Sequence, residues 1–280
     1  MTATTLAPAP DRTDSPSETA VWWRDTLVFA GRNIQHIRQI PEKLLDVTVQ
    51  PLMFVLLFAY VFGGAIAVQG SNYREYLIGG ILVQSLAFGL TGPSTAIATD
   101  LLEGVIDRFR SLPAKRSAYL SGHFLAELAG LTLSIVILLG AGLLVGWRPH
   151  TDVVQVSAAL VLLLLFASLM IWTGTLIGLM VRTPDAVMGI GFTLVFPLTF
   201  LSNAFVPTET LPTVLQKLAD WNPVSTLVAA VRELFGNTGT APQGSWPLQH
   251  SVPVAFVTLV ALLVIVVPLC LRRYRTRTTD

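Results

Sequence analysis

Six apolar segments, each about as long as a membrane is thick, constrain this chain more than any other feature. A helix of about 20 residues crosses a hydrocarbon core about 30 Å thick. Six runs reach that length, at residues 47–68, 76–95, 125–145, 153–181, 187–206 and 252–271. Because lipid offers the backbone no hydrogen-bond partner, such runs must be helices, and the short alternating strands of a β-barrel are absent. The sequence predicts an all-α membrane protein with six transmembrane helices.

The composition favours the same class of protein. Hydrophobic residues make up 52% of the chain and charged residues only 12%, whereas soluble domains carry about 25% charged residues. The mean hydropathy is +0.65. The single cysteine, Cys270, excludes an intrachain disulfide and a cysteine-based zinc site, and the four histidines show no ligand spacing. We therefore expect no metal and no cofactor on this chain.

The distribution of Lys and Arg predicts the orientation. If both termini are cytoplasmic, 14 of the 18 basic residues lie on the inner side, namely Arg12, Arg24, Arg32, Arg38, Lys43, Arg108, Arg110, Lys115, Arg116, Arg182, Arg272, Arg273, Arg275 and Arg277. The outer side keeps Arg74, Arg148, Lys217 and Arg232. Since cytoplasmic loops carry the excess of basic residues, we expect a multi-pass protein of the cytoplasmic (inner) membrane with both termini inside.

The segment before the first span has two parts. Residues 1–19 are rich in Thr, Ala, Pro, Asp and Ser, a composition typical of a disordered tail. Residues 20–280 are expected to form one transmembrane domain, which begins with an amphipathic piece at 20–44. Its apolar side chains recur at helical spacing: Trp23, Leu27, Ala30, Ile34 and Ile37. This pattern predicts a helix in the inner interface, acting either as an anchor for the first span or as a lever beside a partner.

A charged segment at residues 100–116 separates the second and third spans on the predicted inner side. On a helical projection one face is apolar and the other mostly charged: Leu101, Leu102, Val105, Ile106, Phe109 and Leu112 against Asp100, Glu103, Asp107 and Arg110. An amphipathic helix at this place is suited to contact a soluble partner. The alternative is a solvated helix whose charges only keep it at the surface.

The outer segment at residues 207–251 is too polar and too rich in proline to span the membrane. It contains two amphipathic pieces, at 211–221 and 224–235. These pieces predict two short helices packed at the outer membrane face.

Two glycine pairs have three residues between their members, Gly142 with Gly146 and Gly174 with Gly178. Glycines at this spacing lie on one face of a helix and let a second helix backbone approach closely. The pattern is frequent in apolar helices, so it predicts a close contact without identifying the partner helix.

Motifs for ATP binding and for common enzymes are missing from the sequence. No Gly-x-x-x-x-Gly-Lys-Ser/Thr occurs, so the chain has no phosphate-binding P-loop. Neither Gly-x-Ser-x-Gly nor His-Glu-x-x-His is present. Glu127, near the inner end of the third span, is the exception in spans that are otherwise almost free of ionisable residues. An ion-coupled carrier is therefore disfavoured, although Glu127 alone would allow one.

Three further stretches accompany the six spans and the basic C-terminus. They are residues 100–113 between spans two and three, residues 203–212 after span five, and Trp221-Asn-Pro-Val-Ser225 followed by Val231-Arg-Glu-Leu-Phe235. With them, the chain from about residue 20 onward resembles the membrane subunit of type-2 ABC exporters, especially the daunorubicin-resistance-type permeases. That family has a coupling segment at the first stretch. At the last it has a re-entrant outer hairpin with an Asn-Pro and an Arg-containing helix.

The resemblance implies a dimer of membrane subunits with two cytoplasmic ATP-binding subunits, which bind the ATP and Mg. The second membrane subunit is expected to be another copy of this chain, with a paralogue as the alternative. Carried over to this sequence, the ATPase-coupling residues are Glu103, Gly104, Asp107 and Arg110. The outer-hairpin residues are Pro207, Asn222, Pro223 and Arg232. No catalytic residue is implied, and the chain is expected to be a permease rather than an enzyme.

The apolar spans also predict the class of cargo. Burial of apolar area favours binding by roughly 25 cal/mol per Å², whereas each unpaired buried polar group costs on the order of 1–3 kcal/mol. Spans built mainly from Leu, Val, Ile, Phe and Gly therefore favour a hydrophobic or amphipathic small molecule, such as a drug, antibiotic or lipid-like metabolite. The alternatives are export of a lipid-linked polysaccharide, an ion-coupled secondary carrier and a lipid-modifying enzyme.

Overall fold

The computed structural model describes residues 49, 52–62, 72–105, 116–181, 183–205, 207–208, 211–238 and 245–276. Within these ranges every regular element is a helix. The predicted disordered tail at 1–19 and interfacial helix at 20–44 lie outside the described residues, so both stay predictions.

Ten helices follow one another in the described ranges. They are α1 (Leu52–Val61, closed by a π-helical turn at Phe58–Phe62), α2 (Tyr73–Phe88), α3 (Thr91–Leu102), α4 (Arg116–Val145), α5 (Val153–Met180), α6 (Pro184–Phe200), α7 (Thr213–Asp220), α8 (Pro223–Phe235), α9 (Trp246–Gln249) and α10 (Ser251–Thr276). Four segments in this part of the chain are long and apolar enough to cross a membrane: Tyr73–Leu102, Tyr119–Val145, Val153–Met180 and Ser251–Thr276. The shorter apolar helices α1 and α6 occupy the places of the first and fifth predicted spans. The predicted all-α membrane fold is confirmed.

The second span consists of two helices rather than one. α2 ends at Phe88, a turn follows at Gly89 and Leu90, and α3 begins at Thr91. Pro93 explains the break, because its ring would clash with the carbonyl four residues earlier, that of Gly89, and it has no N–H to donate there. The hydroxyl of Thr91 satisfies one freed acceptor by donating to the Phe88 carbonyl at 2.9 Å.

The long helix α5 lies at the centre of the bundle and packs against α2, α3, α4, α8 and α10. Gly174 and Gly178 make the contact with α3 possible: a Cβ on either glycine would overlap a backbone carbonyl oxygen, that of Leu90 or of Ser94. The close packing predicted for this glycine pair is therefore present.

The two glycines of the other pair, Gly142 and Gly146, have different roles. A Cβ on Gly142 would lie 3.3 Å from the Ile78 side chain on α2, which is a tight helix contact. Gly146 instead follows the end of α4 with φ +101, and a Cβ there would meet nothing within 4 Å. This glycine serves the turn and not helix packing, because L residues rarely adopt that backbone conformation.

Both predicted outer helices are present, but they differ in burial. α7 exposes a row of apolar side chains, with Val214 at 72%, Leu218 at 56% and Trp221 at 68% exposure, as expected of a helix at an interface. In α8, by contrast, ten of 13 residues are buried, and the helix packs between α2, α5 and α10. The position of the two helices relative to the membrane stays a prediction, and within the bundle α8 is a core helix. It is buried because small and apolar residues surround most of its circumference.

Candidate functional sites at the two ends of the bundle

Arg232 on α8 is the centre of the site at the predicted outer end of the bundle, here called the outer site, and its side chain is only 3% exposed. Its Nε donates to the Tyr76 carbonyl at 2.7 Å. Its Nη1 and Nη2 donate to the carbonyls of Asn203 and Ala204, each at 2.8 Å. The guanidinium carbon also lies 3.4 Å from the centroid of the Tyr76 ring. One buried cation thus joins α2, α8 and the chain that follows α6.

Two of the three acceptors of Arg232, the carbonyls of Asn203 and Ala204, belong to a non-helical turn at residues 201–205. Buried carbonyls outside a helix need donors from elsewhere, since lipid and apolar side chains provide none. The Tyr76 hydroxyl also donates to the Asn203 carbonyl at 2.7 Å. Gly80 lets the turn approach α2, because a Cβ there would overlap the Ala204 oxygen. The planar guanidinium, with five N–H donors, meets three carbonyls at once.

The Asn-Pro pair starts α8 and supports the same turn. The Asn222 Oδ1 accepts from the Val224 N–H at 2.9 Å, and Pro223 takes the first helical position, as is common at helix N-termini. The Asn222 Nδ2 donates to the carbonyls of Leu198 and Leu201, both at 2.7 Å. These two acceptors come from the C-terminal end of α6. Pro207, also carried over to the hairpin, lies just beyond the turn in a half-buried position.

The C-terminal end of α8 is tied to the loop between α4 and α5. Gly236 ends the helix with φ +71. The next residue, Asn237, accepts from the Trp147 indole at 2.8 Å and donates to the Arg148 carbonyl at 3.0 Å. The Thr151 hydroxyl donates to the Leu234 carbonyl at 2.6 Å. Sequence reasoning did not identify these residues; the only local signal was a glycine after an apolar helix.

The predicted coupling segment begins with a helix end. α3 stops at Leu102, and Glu103 caps it with an exposed side chain. Gly104 then takes φ +66, where a Cβ would meet nothing within 4 Å. The sequence predicted one amphipathic helix through residues 100–113, and this is wrong at its start. The left-handed backbone of Gly104 interrupts the α-helix after Leu102. Asp107 and Arg110 lie outside the described residues, so their role stays a prediction.

A buried cluster holds the inner helix ends together. The Tyr119 hydroxyl, near the start of α4, donates to the Asp100 carboxylate on α3. The Tyr119 ring stacks on Tyr274 of α10 with centroids 6.3 Å apart, and Cys270 and Leu179 complete the cluster. Cys270 is fully buried, as expected for a small apolar residue. The ends of α3, α4, α5 and α10 therefore meet on the side opposite the hairpin.

No metal centre is found in the part of the chain that the structure describes. There, no group of three or more His, Cys, Asp or Glu side chains could hold an ion. Glu127 is partly buried on α4, where its Oε2 would lie 3.4 Å from a Cβ placed on Gly92 of α3.

Four of the described helices are long and apolar enough to cross a membrane, as in a multi-pass membrane protein. The chain belongs to the ABC-2 type transporter family, which matches residues 24–235. It is 31% identical to the daunorubicin resistance ABC transporter permease protein DrrB1 of Streptomyces coeruleorubidus, over 90% of this chain and 86% of that protein. It is 27% identical to the doxorubicin resistance ABC transporter permease protein DrrB of Mycobacterium tuberculosis, over 79% and 80%.

These similarities confirm the resemblance drawn from the sequence. The chain is a permease of the ABC-2 type, and membership of this family implies an ABC transporter that includes an ATP-binding partner.

Proposed function

We propose that this chain is the membrane subunit of an ATP-driven exporter that moves a hydrophobic or amphipathic small molecule, such as a drug or antibiotic, out of the cell. The observation that carries this proposal is the 31% identity with a daunorubicin resistance permease over 90% of the chain. A similarity of that extent covers the spans, the outer hairpin and the inner segment together, so it concerns the transporter as a whole.

The surface of α6 supports an aromatic, apolar cargo. Phe192, Phe196 and Phe200 follow at intervals of four residues and are 49%, 48% and 45% exposed. Residues at this spacing lie on one face of a helix. Aromatic side chains bind planar rings through burial and stacking, whereas a polyol would lose hydrogen bonds to water along such a face.

In the proposed transporter, the inner end of the bundle faces the ATP-binding partner. Glu103 and Gly104 project from the end of α3, and Asp107 and Arg110 follow them. The partner binds ATP and Mg, and its binding energy shifts the population between inward-facing and outward-facing states. We further propose two copies of this chain per transporter, in the inner membrane, with both termini in the cytoplasm.

The test is expression in a drug-sensitive host, together with a candidate ATP-binding subunit from the same genome. Intracellular daunorubicin is then measured by its fluorescence. We expect lower accumulation than in cells carrying the permease with an ATP-binding subunit whose P-loop lysine has been replaced. Unchanged accumulation, together with stimulation of ATP hydrolysis by a lipid-linked glycan, would overturn drug export and favour polysaccharide export.

A further inference from the structure

The face of α10 that turns away from the bundle is apolar over most of the length of the helix. Only 17% of the most apolar stretch of α10 is buried inside the chain, against 39%, 39% and 72% for the other three candidate spans. The helix packs on α5 and α8. Its exposed apolar side chains recur at the spacing of one helix face: Phe256, Val257, Val264, Ile265 and Leu269. α10 therefore presents an apolar stripe that the other described helices leave uncovered.

This stripe ends in a group of arginines. Arg272 lies seven residues after Ile265, and Arg273 lies four residues after Leu269, so both continue the exposed face. Arg275 follows within the next turn, and all three side chains are exposed. In the part of the chain that the structure describes, no carboxylate forms an ion pair with any of them. Three positive charges are therefore available to an anion at the C-terminal end of α10.

The length of α10 places these arginines just beyond the hydrocarbon core. Its 26 residues span about 39 Å at 1.5 Å per residue, whereas the core is about 30 Å thick. The apolar run at 252–271 accounts for that thickness, so Arg272 is the first residue at the level of the headgroups. Tyr274 is buried and stacks on Tyr119 of α4. This contact fixes the rotation of the last turn and keeps Arg272 and Arg273 on the side away from the bundle.

The occupant of this face must be apolar over about 30 Å and anionic at one end. A soluble protein can contact the arginines but not the stripe, because the stripe lies within the membrane. A second copy of this chain can cover the stripe, but a twofold axis along the membrane normal would bring the same arginines of both copies together, and like charges facing each other repel. A phospholipid with a net negative charge meets both requirements, since it carries acyl chains and a phosphate.

We propose that the C-terminal end of α10 is a binding site for an anionic phospholipid. The guanidinium groups of Arg272 and Arg273 bind the headgroup phosphate, a role for which the planar fork of arginine is suited. The acyl chains lie along the exposed stripe, and Arg275 adds to the positive potential. In the orientation proposed above, this is a lipid of the cytoplasmic leaflet. The site is separate from the cargo and does not depend on what is exported.

The test compares two lipids that differ in net charge. The full-length protein in detergent is titrated with phosphatidylglycerol or with phosphatidylcholine of the same acyl chains, and native mass spectrometry gives the Kd of the first bound lipid. We expect tighter binding of phosphatidylglycerol. Arg272→Gln combined with Arg273→Gln should weaken that binding by about tenfold or more, because each basic residue near an anionic lipid contributes several-fold to affinity. Binding of phosphatidylcholine should be unchanged.

Two matched variants separate this site from a general effect of charge. Lysine at both positions keeps the charge and should retain most of the preference for phosphatidylglycerol. Arg74→Gln combined with Lys217→Gln removes the same charge at the predicted outer end and should leave the preference intact.

Equal affinity of the wild-type protein for the two lipids would overturn the site. So would an equal loss of both affinities in the double glutamine variant. If that variant binds phosphatidylglycerol normally but no longer copurifies with the ATP-binding subunit, the arginines contact that subunit and the lipid site is wrong.

Discussion

The two ends of the bundle are built in contrasting ways. At the outer end, α8 is buried and its termini are tied to α2, α6 and the α4–α5 loop by side-chain hydrogen bonds from Arg232, Asn222 and Asn237. At the inner end, α3 finishes in an exposed turn, with Leu102 66% exposed. Buried polar bonds rigidify a structure because breaking one leaves its partner unsatisfied. The outer end therefore holds its shape, while the inner turn is accessible to a partner.

This contrast predicts different costs for mutations at the two ends. Substitutions in the outer site should reduce the stability of the folded protein. Substitutions in the inner turn should leave stability nearly unchanged and reduce association with the ATP-binding subunit. Three substitutions test that difference, ordered from the largest expected change in folding free energy to the smallest.

Replacing Arg232 should have the largest effect on folding. Arg232→Ala removes one donor from each of the carbonyls of Tyr76, Asn203 and Ala204, and only the bond from the Tyr76 hydroxyl to Asn203 remains at the turn. We expect a loss of about 3–5 kcal/mol in unfolding free energy, because each buried acceptor left unsatisfied costs about 1–3 kcal/mol. Denaturant titration in detergent, or the thermal midpoint by fluorescence-detected size exclusion, measures the loss.

The control for this variant is Arg74→Ala near the start of α2. Arg74 also contacts a tyrosine ring, lying 5.1 Å from the centroid of Tyr60, but its side chain is partly exposed. Its removal should cost no more than about 1 kcal/mol. If the two variants lose equal stability, the buried hydrogen bonds of Arg232 do not account for the rigidity of the outer end.

Gly174→Ala should have an intermediate effect, in the middle of the bundle. The added Cβ overlaps the Leu90 carbonyl, so α3 and α5 must separate, at a cost of about 1–3 kcal/mol. Gly140→Ala on α4 is the matched control, since a Cβ there meets nothing within 4 Å and alanine favours a helix by about 1 kcal/mol over glycine. The thermal midpoint should fall for Gly174→Ala and rise for Gly140→Ala. A shift in the same direction for both would contradict the close packing of α3 on α5.

Glu103→Lys should have the smallest effect on folding, within about 0.5 kcal/mol, because the side chain is exposed. Its effect should be on the partner: charge reversal in a docking surface is expected to weaken copurification with the ATP-binding subunit by about tenfold or more. Lys217→Glu on the outer helix α7 reverses charge at another exposed position and should not alter copurification. Normal association of the Glu103 variant would mean that the inner turn is an ordinary solvated loop.

The course of the chain through the spans was predictable because hydropathy is a local property. The predicted fourth span, 153–181, corresponds to α5 at Val153–Met180, and the sixth, 252–271, lies within Ser251–Thr276. The break in the second span was missed, although Pro93 is visible in the sequence. Apolar composition continues through it and conceals the change of helix.

The outer site was predictable only in part. Asn222 and Pro223 were assigned to the hairpin by resemblance, but nothing local indicated that Arg232 is buried. Its acceptors lie 28, 29 and 156 residues away in sequence, and periodicity carries no information over such separations. The turn at Gly104 was missed for a different reason. A helical projection assumes that the helix is continuous, so it cannot reveal a residue with left-handed backbone conformation.

The large sequence separation between Arg232 and its acceptors also determines when the outer end can form during synthesis. The bond to the Tyr76 carbonyl closes a loop of 156 residues. At a synthesis rate of about 5–20 residues per second, α2 exists for roughly 8–30 s before the guanidinium that it binds has been made. The carbonyls of Asn203 and Ala204 are made only 29 and 28 residues before Arg232, so they lack this donor for roughly 1.4–6 s. The outer end is therefore completed late, after most of the spans have been synthesised, and a nascent chain stopped before residue 232 is unfinished at the end that is most rigid in the folded protein.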